Sequence, residues 1–283
     1  MIVTSRLPDF VIIGAAKSAT TWLQVQLQAN PAIFMPDPEP HFFSREFTKG
    51  EAHYRKVFRE CNGWAAVVGE KSADYLSDPD TPARLASMLP DARLVVQLRN
   101  PVDRAYSDYK MFFRRGQVND RPAEYLATPD NPHPRFLLDG LYGQHLANWL
   151  EHFDREQLFV FTYEQVGSDP IDLIERVCKH VGAPIAFDTE LICRRENASQ
   201  ELLLPLPLRN LLAPFKGTVQ PLRGRPWFET ARSLLAREVN YPPLPPDLRC
   251  KMEEFYSDDI ALTEELTGLD LEHWKGSAAT VAA

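Results

Sequence analysis

Val11-Ile12-Ile13-Gly14-Ala15-Ala16-Lys17-Ser18-Ala19-Thr20-Thr21-Trp22-Leu23 is the stretch that decides the fold. Its apolar beginning reads as a buried parallel strand. A turn of small residues then leads into a segment with Leu23 and Leu27 at helical spacing, which ends before Asn30-Pro31. Strand, tight loop and helix start in that order bring free backbone N–H groups and the positive end of a helix dipole to one point. Lys17, Thr20 and Thr21 add a charge and two hydroxyls. Such a junction is suited to holding a phosphate.

The ATP-type loop G-x-x-x-x-G-K-[ST] does not fit, because Lys17 follows Gly14 by three and no second glycine precedes it. Working outward, two more strand ends carry cations. Ala66-Val67-Val68-Gly69 reads as a strand that delivers Glu70 and Lys71, and Arg93-Leu94-Val95-Val96-Gln97-Leu98 as another that delivers Arg99. After Arg99, Asn100 suits an N-cap and Pro101 the first helical position, so a helix is predicted to run to Arg115 and stop at Gly116. Between the first helix and the second strand, three prolines in Phe34-Met35-Pro36-Asp37-Pro38-Glu39-Pro40-His41-Phe42-Phe43 predict a stiff loop. Glu39 and His41 at i, i+2 fall on one side of an extended chain, where a carboxylate and an imidazole form a usable acid/base pair.

Strands alternating with helices predict an α/β fold, a mostly parallel sheet flanked by helices, with its ligand across the carboxyl edge. The 283 residues suit a single domain, 1–283, with a binding and catalytic core over about 9–182 and a helical or acceptor-side cover over about 183–275. A net charge of −8 argues against nucleic acid as a partner, so any basic site is local. The stretch Arg93 to Arg115 holds six cations against Asp103 and Asp108 and is the best candidate. No membrane anchor or leader pattern is read, the four cysteines have no metal-like spacing, and a cytoplasmic setting is expected.

Four segments together resemble the PAPS-dependent sulfotransferases, closer to the carbohydrate O-sulfotransferases of the heparan sulfate type in the Glu39 loop and closer to the cytosolic small-molecule branch in Lys17 to Leu23. Lys17 to Leu23 is similar to K-[SG]-G-T-T-x-L, with Ala19 in place of the glycine; alanine fits there at negative φ and would be strained at positive φ. Glu39 to Phe43 matches E-x-H-F-F, Glu70-Lys71-Ser72-Ala73-Asp74-Tyr75 matches E-K-[TS]-x-x-Y, and Leu98 to Ser107 matches L-R-[DN]-P-x-x-R-x-x-S. The resemblance implies a P-loop-like sulfotransferase fold and transfer of a sulfuryl group from PAPS to a hydroxyl of a glycan or small-molecule acceptor, leaving 3′,5′-adenosine bisphosphate. It implies that Lys17, Ser18, Ala19, Thr20, Thr21 and Trp22 hold the 5′-phosphosulfate, with Lys17 steadying the leaving oxygen. Arg99 and Ser107 would grip the 3′-phosphate, and Glu39 would be the general base. His41 would assist the base or orient the acceptor, and Lys71 would face the sulfuryl group or an acidic acceptor. In the small-molecule branch a histidine is the base, so the roles of Glu39 and His41 stay interchangeable at this point. No metal is invoked.

Two other classes stand beside this reading: a P-loop-like nucleotide kinase, which would want the ATP-loop spacing and a magnesium carboxylate, and a non-catalytic nucleotide-binding module, which would not need Glu39 beside His41. Further along, Tyr142 reads mainly as core, with a place at the border of the acceptor cleft as the alternative; Arg194 and Arg195 read as a surface pair of arginines in a part of the chain where relatives place a nucleotide-covering loop, and Leu202 to Arg237 reads as an acceptor-side cover or partner-binding flap. A last helix from about Asp247 to Leu266 is predicted to bury Met252, Phe255, Leu262 and Leu266.

Overall fold

The computed structural model describes residues 6–61, 64–192 and 239–275. Five strands, β1 Phe10–Gly14, β2 Ile33–Phe34, β3 Val67–Lys71, β4 Arg93–Leu98 and β5 Leu158–Thr162, form one sheet in the order β2-β3-β1-β4-β5. All four pairings are parallel. A parallel sheet needs helical crossovers that cover both faces, which is why β1 is an unbroken apolar run buried along its whole length. Phe10 and Ile12 point into one core layer and Val11 and Ile13 into the other, as period-two alternation requires.

The helices are α1 Thr20–Gln28, α2 Glu51–Val57, α3 Thr81–Met88, α4 Pro101–Arg114, α5 Ala123–Leu126, α6 Arg135–Leu138, α7 Tyr142–Leu150, α8 Tyr163–Ser168, α9 Pro170–Val181, α10 Thr189–Ile192 and α11 Pro246–Thr267. Residues of α1 and α9 pack on one face, through Leu23, Leu27, Leu173, Ile174 and Val177. On the other face the larger core joins α4, α7 and α11 through Val102, Tyr109, Tyr142, Trp149, Met252 and Tyr256. Asn100 caps α4 as expected, its side chain accepting from Val102 N and Asp103 N. Two-residue β2, at the sheet edge, overlaps the stretch expected to be loop at Phe34; it is too short to carry a periodic signal.

The last helix departs from the expected stripe. Leu248, Met252, Tyr256 and Ile260 are buried at a spacing of four, whereas Phe255 is 37% exposed. The seam is set by α7, whose Gly143 leaves so little room that a Cβ there would lie 2.8 Å from Asp259 O. Asp259 accepts from the N–H groups of Gly143 and Gln144, at 2.9 and 3.0 Å. Hence α11 is part of the main core and not a cover over it. Arg194, Arg195 and Leu202 to Arg237 lie outside the described residues. Among the described residues no helix is long and apolar enough to cross a membrane.

Candidate active site

In this strand order β1 lies between β3 and β4 and all three are parallel, so their carboxyl ends stand side by side at the edge where ligands bind in open α/β sheets. Lys17 follows β1, Lys71 is the last residue of β3, and Arg99 follows β4. Residues far apart in sequence thereby meet at one sheet edge.

The loop after β1 is held in a left-handed conformation, with φ of 72° at Lys17 and 62° at Ala19. The negative φ that would suit Ala19 is therefore not what the loop adopts, and the alanine carries strain there. Ala19 N-caps α1, and the N–H groups of Ala19, Thr20 and Thr21 have no acceptor among the described residues. These donors and the helix dipole make the anion cradle. The side chains of two residues expected at the nucleotide are buried. Trp22 is buried in the α1–α9 core, with its Nε1 donating to Ile192 O at 3.4 Å, and Ser18 is fully buried. Apolar neighbours in the crossover take the indole. Thr21 is exposed and faces the crevice.

Lys17 Nζ rests 3.6 Å from Met111 Sδ on α4. Burial lowers its pKa, opposed by Asp108 and reinforced by Arg115, Arg114 and Arg99. Arg99 donates from Nη1 to Lys17 O at 3.3 Å and lies over the Tyr163 ring at 5.1 Å, while Tyr142 OH donates to Arg99 O. Ser107 is half-buried on α4 and has no hydrogen-bond partner among the described residues. One turn on, Lys110 lies 4.7 Å from the Tyr106 ring and 5.7 Å from the Tyr241 ring; burial and then Arg99 lower its pKa. Several cations crowded at one edge lose protons more readily, and a polyanionic ligand would reverse that cost. Lys110 was counted only as one of the six cations between Arg93 and Arg115, and Tyr163 was not singled out from the sequence. Lys110 lies three residues after Ser107, and Tyr163 directly follows β5; those positions were the available signals.

The Glu39 loop is fastened residue by residue to the segment leaving β3. Lys71 Nζ sits 3.0 Å from Glu39 Oε1, Ala73 N donates to Glu39 Oε2 at 2.9 Å, and His41 N donates to Ser72 Oγ at 2.9 Å. His41 Nδ1 lies 2.6 Å from Asp74 Oδ1, and Phe43 N donates to Tyr75 OH. Glu39 and His41 do share a side, with His41 Nε2 at 3.8 Å from Glu39 Oε2, but His41 has φ 48°. The partners on the β3 segment, and not an extended backbone, bring the pair together. Thr21, Gln24, Asp37, Pro38, Glu39, His41 and Lys71 line a pocket of about 370 Å³. Gln24 closes one wall by donating to Pro36 O at 3.0 Å. A larger hollow of about 750 Å³, lined by Asp9, Arg93, Arg176 and His180 among others, contains none of these groups.

The loop after β1 thus stands beside a carboxylate–imidazole pocket, and the sulfotransferase domain family model matches residues 7–204. The chain belongs to this sulfotransferase family. It is 34% identical over 188 residues to human heparan sulfate glucosamine 3-O-sulfotransferase 3B1, a match covering 63% of this chain and 47% of that protein. It is 30% identical over 198 residues to mouse bifunctional heparan sulfate N-deacetylase/N-sulfotransferase 4, covering 62% and 22%. The chain thus spans about half the length, or less, of these curated relatives. A solved sulfotransferase from Alicyclobacillus acidocaldarius superposes with a TM-score of 0.69 at 25% identity, covering 95% of this chain and 99% of that one. The kinase reading is not favoured by these findings, and neither is the non-catalytic module.

Within this family member the two residues ending β3 differ in their surroundings. Lys71 is 2% exposed and turned toward Glu39 and Thr21, whereas Glu70 is fully buried with its Oε1 accepting from Tyr54 OH at 2.8 Å. A solvated surface pair, the ordinary reading of adjacent Glu and Lys, is excluded. Burial, partly offset by hydrogen bonds from Tyr54 and Tyr75, pushes the Glu70 carboxyl up to about 8. It is therefore mostly protonated at neutral pH.

Proposed function

We propose that this protein transfers a sulfuryl group from PAPS to a hydroxyl of a carbohydrate or other polyol acceptor. One observation carries the reading: Lys71 Nζ donates to Thr21 Oγ1 at 3.2 Å and lies 3.0 Å from Glu39 Oε1. A single buried cation thus joins the phosphate-binding loop to the carboxylate of the neighbouring pocket.

The residues present fit the donor nucleotide. The unbonded N–H groups at the start of α1 and Lys17 suit its 5′-phosphosulfate end, and Arg99, with Ser107 and Lys110 on α4, suits the 3′-phosphate. Tyr163 extends the floor under Arg99. When bound, PAPS supplies an activated sulfuryl group, and the chain supplies position and charge. Glu39, open on the pocket side, accepts the proton of the acceptor hydroxyl as its oxygen attacks sulfur. Lys71 orients Glu39 and offers positive charge near the transferring group, and Lys17 steadies the charge that grows on the departing oxygen. Most of the acceleration would come from this preorganised electrostatic frame and from alignment of acceptor and donor. The relatives named above act on heparan sulfate by name, which supports a glycan acceptor.

The test is to incubate the protein with sulfur-labelled PAPS and a panel of glycan and simple hydroxyl acceptors, with Glu39→Gln as the control. Label transfer that is abolished in Glu39→Gln supports the proposal. Tight binding of 3′,5′-adenosine bisphosphate without transfer to any acceptor would instead favour a binding module.

A further inference from the structure

Asp74 stands at a position that the E-K-[TS]-x-x-Y pattern leaves open, and the transfer outlined above makes no use of it. In the structure it is the post to which the acceptor loop is tied. Oδ1 lies 2.6 Å from His41 Nδ1, and Oδ2 accepts from Ser44 Oγ at 3.1 Å and Arg45 Nε at 2.9 Å. Burial pushes this carboxyl up, but the hydrogen bond and charge of His41, with Arg45 and Ser44, outweigh burial and hold it below its ordinary value. An ionised carboxylate only accepts, so a 2.6 Å contact needs a proton on His41 Nδ1. In the neutral ring Nε2 is then a bare acceptor. It lies 3.8 Å from Glu39 Oε2, and His41 and Glu39 both line the pocket. Two acceptors side by side cannot satisfy each other. They complement a ligand that brings two adjacent donors.

We infer that Asp74 is a positioning residue: by keeping His41 in its Nδ1–H form it sets a bare Nε2 beside Glu39, and the site selects acceptors with a second hydroxyl or an amine next to the reacting hydroxyl. The inference rests on the transfer proposed above. Glu39 takes the proton of the reacting hydroxyl, and His41 Nε2 accepts a hydrogen bond from its neighbour. The charged groups around His41 are Asp37 and Glu39 on its own loop, Lys71 and Asp74 from β3 and the turn after it, and Arg45 through Asp74; α1 presents only the uncharged Thr21 and Gln24 to this pocket.

The test combines nitrogen NMR of the imidazoles with turnover of matched acceptors, a vicinal diol and its mono-ol, in the wild type, Asp74→Asn, Asp74→Glu and His41→Asn. The His41→Asn spectrum identifies the His41 signals among the seven histidines. The wild type should show Nδ1–H and prefer the diol. In Asp74→Asn the side-chain amide can donate to Nδ1, so the ring should change to Nε2–H. Turnover should then fall about 100-fold and the diol preference should vanish, while affinity for 3′,5′-adenosine bisphosphate is kept. Asp74→Glu should restore the tautomer and part of the turnover, which also covers the case in which Asp74→Asn folds poorly. An Nε2–H wild type, an unaltered tautomer in Asp74→Asn, or equal loss of turnover and nucleotide affinity would overturn the inference. Absence of any sulfuryl transfer by the wild type would defeat the proposed function, and the tautomer measurement would still judge the role of Asp74.

Discussion

Lys71 Nζ and Glu39 Oε1 are 3.0 Å apart, with Lys71 2% exposed and the Glu39 side chain 27% exposed. The cation is sequestered and its partner is open to the pocket. Lys71→Met should therefore cost about 1–2 kcal/mol of stability, less than the loss of a fully buried pair because water can still reach Glu39. Its effect on turnover should be larger, about 100-fold, as for removal of one preorganised donor. Denaturant titration and the transfer assay would show this contrast, and a variant that loses stability alone would assign Lys71 to structure only.

Arg99 spans the loop carbonyl of Lys17 and the face of Tyr163, at the end of β4. Arg99→Ala should weaken binding of 3′,5′-adenosine bisphosphate by about 2 kcal/mol, the typical worth of a charged hydrogen-bond partner. Calorimetry measures it directly. Unchanged affinity would move the 3′-phosphate away from this strand end.

Ala19, at φ 62°, occupies a backbone region that costs an L-residue about 1–2 kcal/mol. Ala19→Gly relieves that strain but adds freedom to the unfolded chain, so a net gain of about 0.5–1 kcal/mol is expected. A melting temperature that rises by a few degrees would confirm it, and a fall would show that the loop gains nothing from glycine.

Glu70, buried and protonated up to about pH 8, makes stability depend on pH in a definite direction. The unfolded carboxyl ionises near its ordinary value of 4.5 while the folded one does not. Between these values the folded state holds the extra proton. The contribution is fully present below the unfolded value and declines as pH rises toward 8, by up to about 1.4 kcal/mol per pH unit. Glu70→Gln carries no such titration and should gain on the wild type from pH 5 to pH 8, as read by urea unfolding at both. Parallel curves would mean that Glu70 is ionised in the fold.

Met252 and Phe255 are three residues apart on α11 and have opposite fates, one 1% and the other 37% exposed. Met252→Ala should destabilise by about 2–4 kcal/mol, whereas Phe255→Ala should cost under about 1 kcal/mol. Thermal melts of the two variants would reveal a reversed seam if the order were inverted.

Much of this protein was determined locally and could be read without a structure. The Val11 to Leu23 run specifies a buried strand followed by a helix start, since side-chain periodicity and small-residue turns act over a few neighbours, and the same holds for Arg99 with the Asn100 cap. Glu39, His41, Lys71 and Arg99 could each be named from short patterns. What only the tertiary structure decided are relations between segments. The left-handed backbone at Ala19 follows from how the loop must return from β1 into α1. The inward turn of Trp22 reflects the core formed with α9, and the burial of Met252 instead of Phe255 follows from where α7 crosses α11. The tie between Asp74 and His41 spans 33 residues and depends on β2 lying beside β3. Local pattern names the groups, but burial, tautomer and partner depend on neighbours that the chain meets only after it has folded.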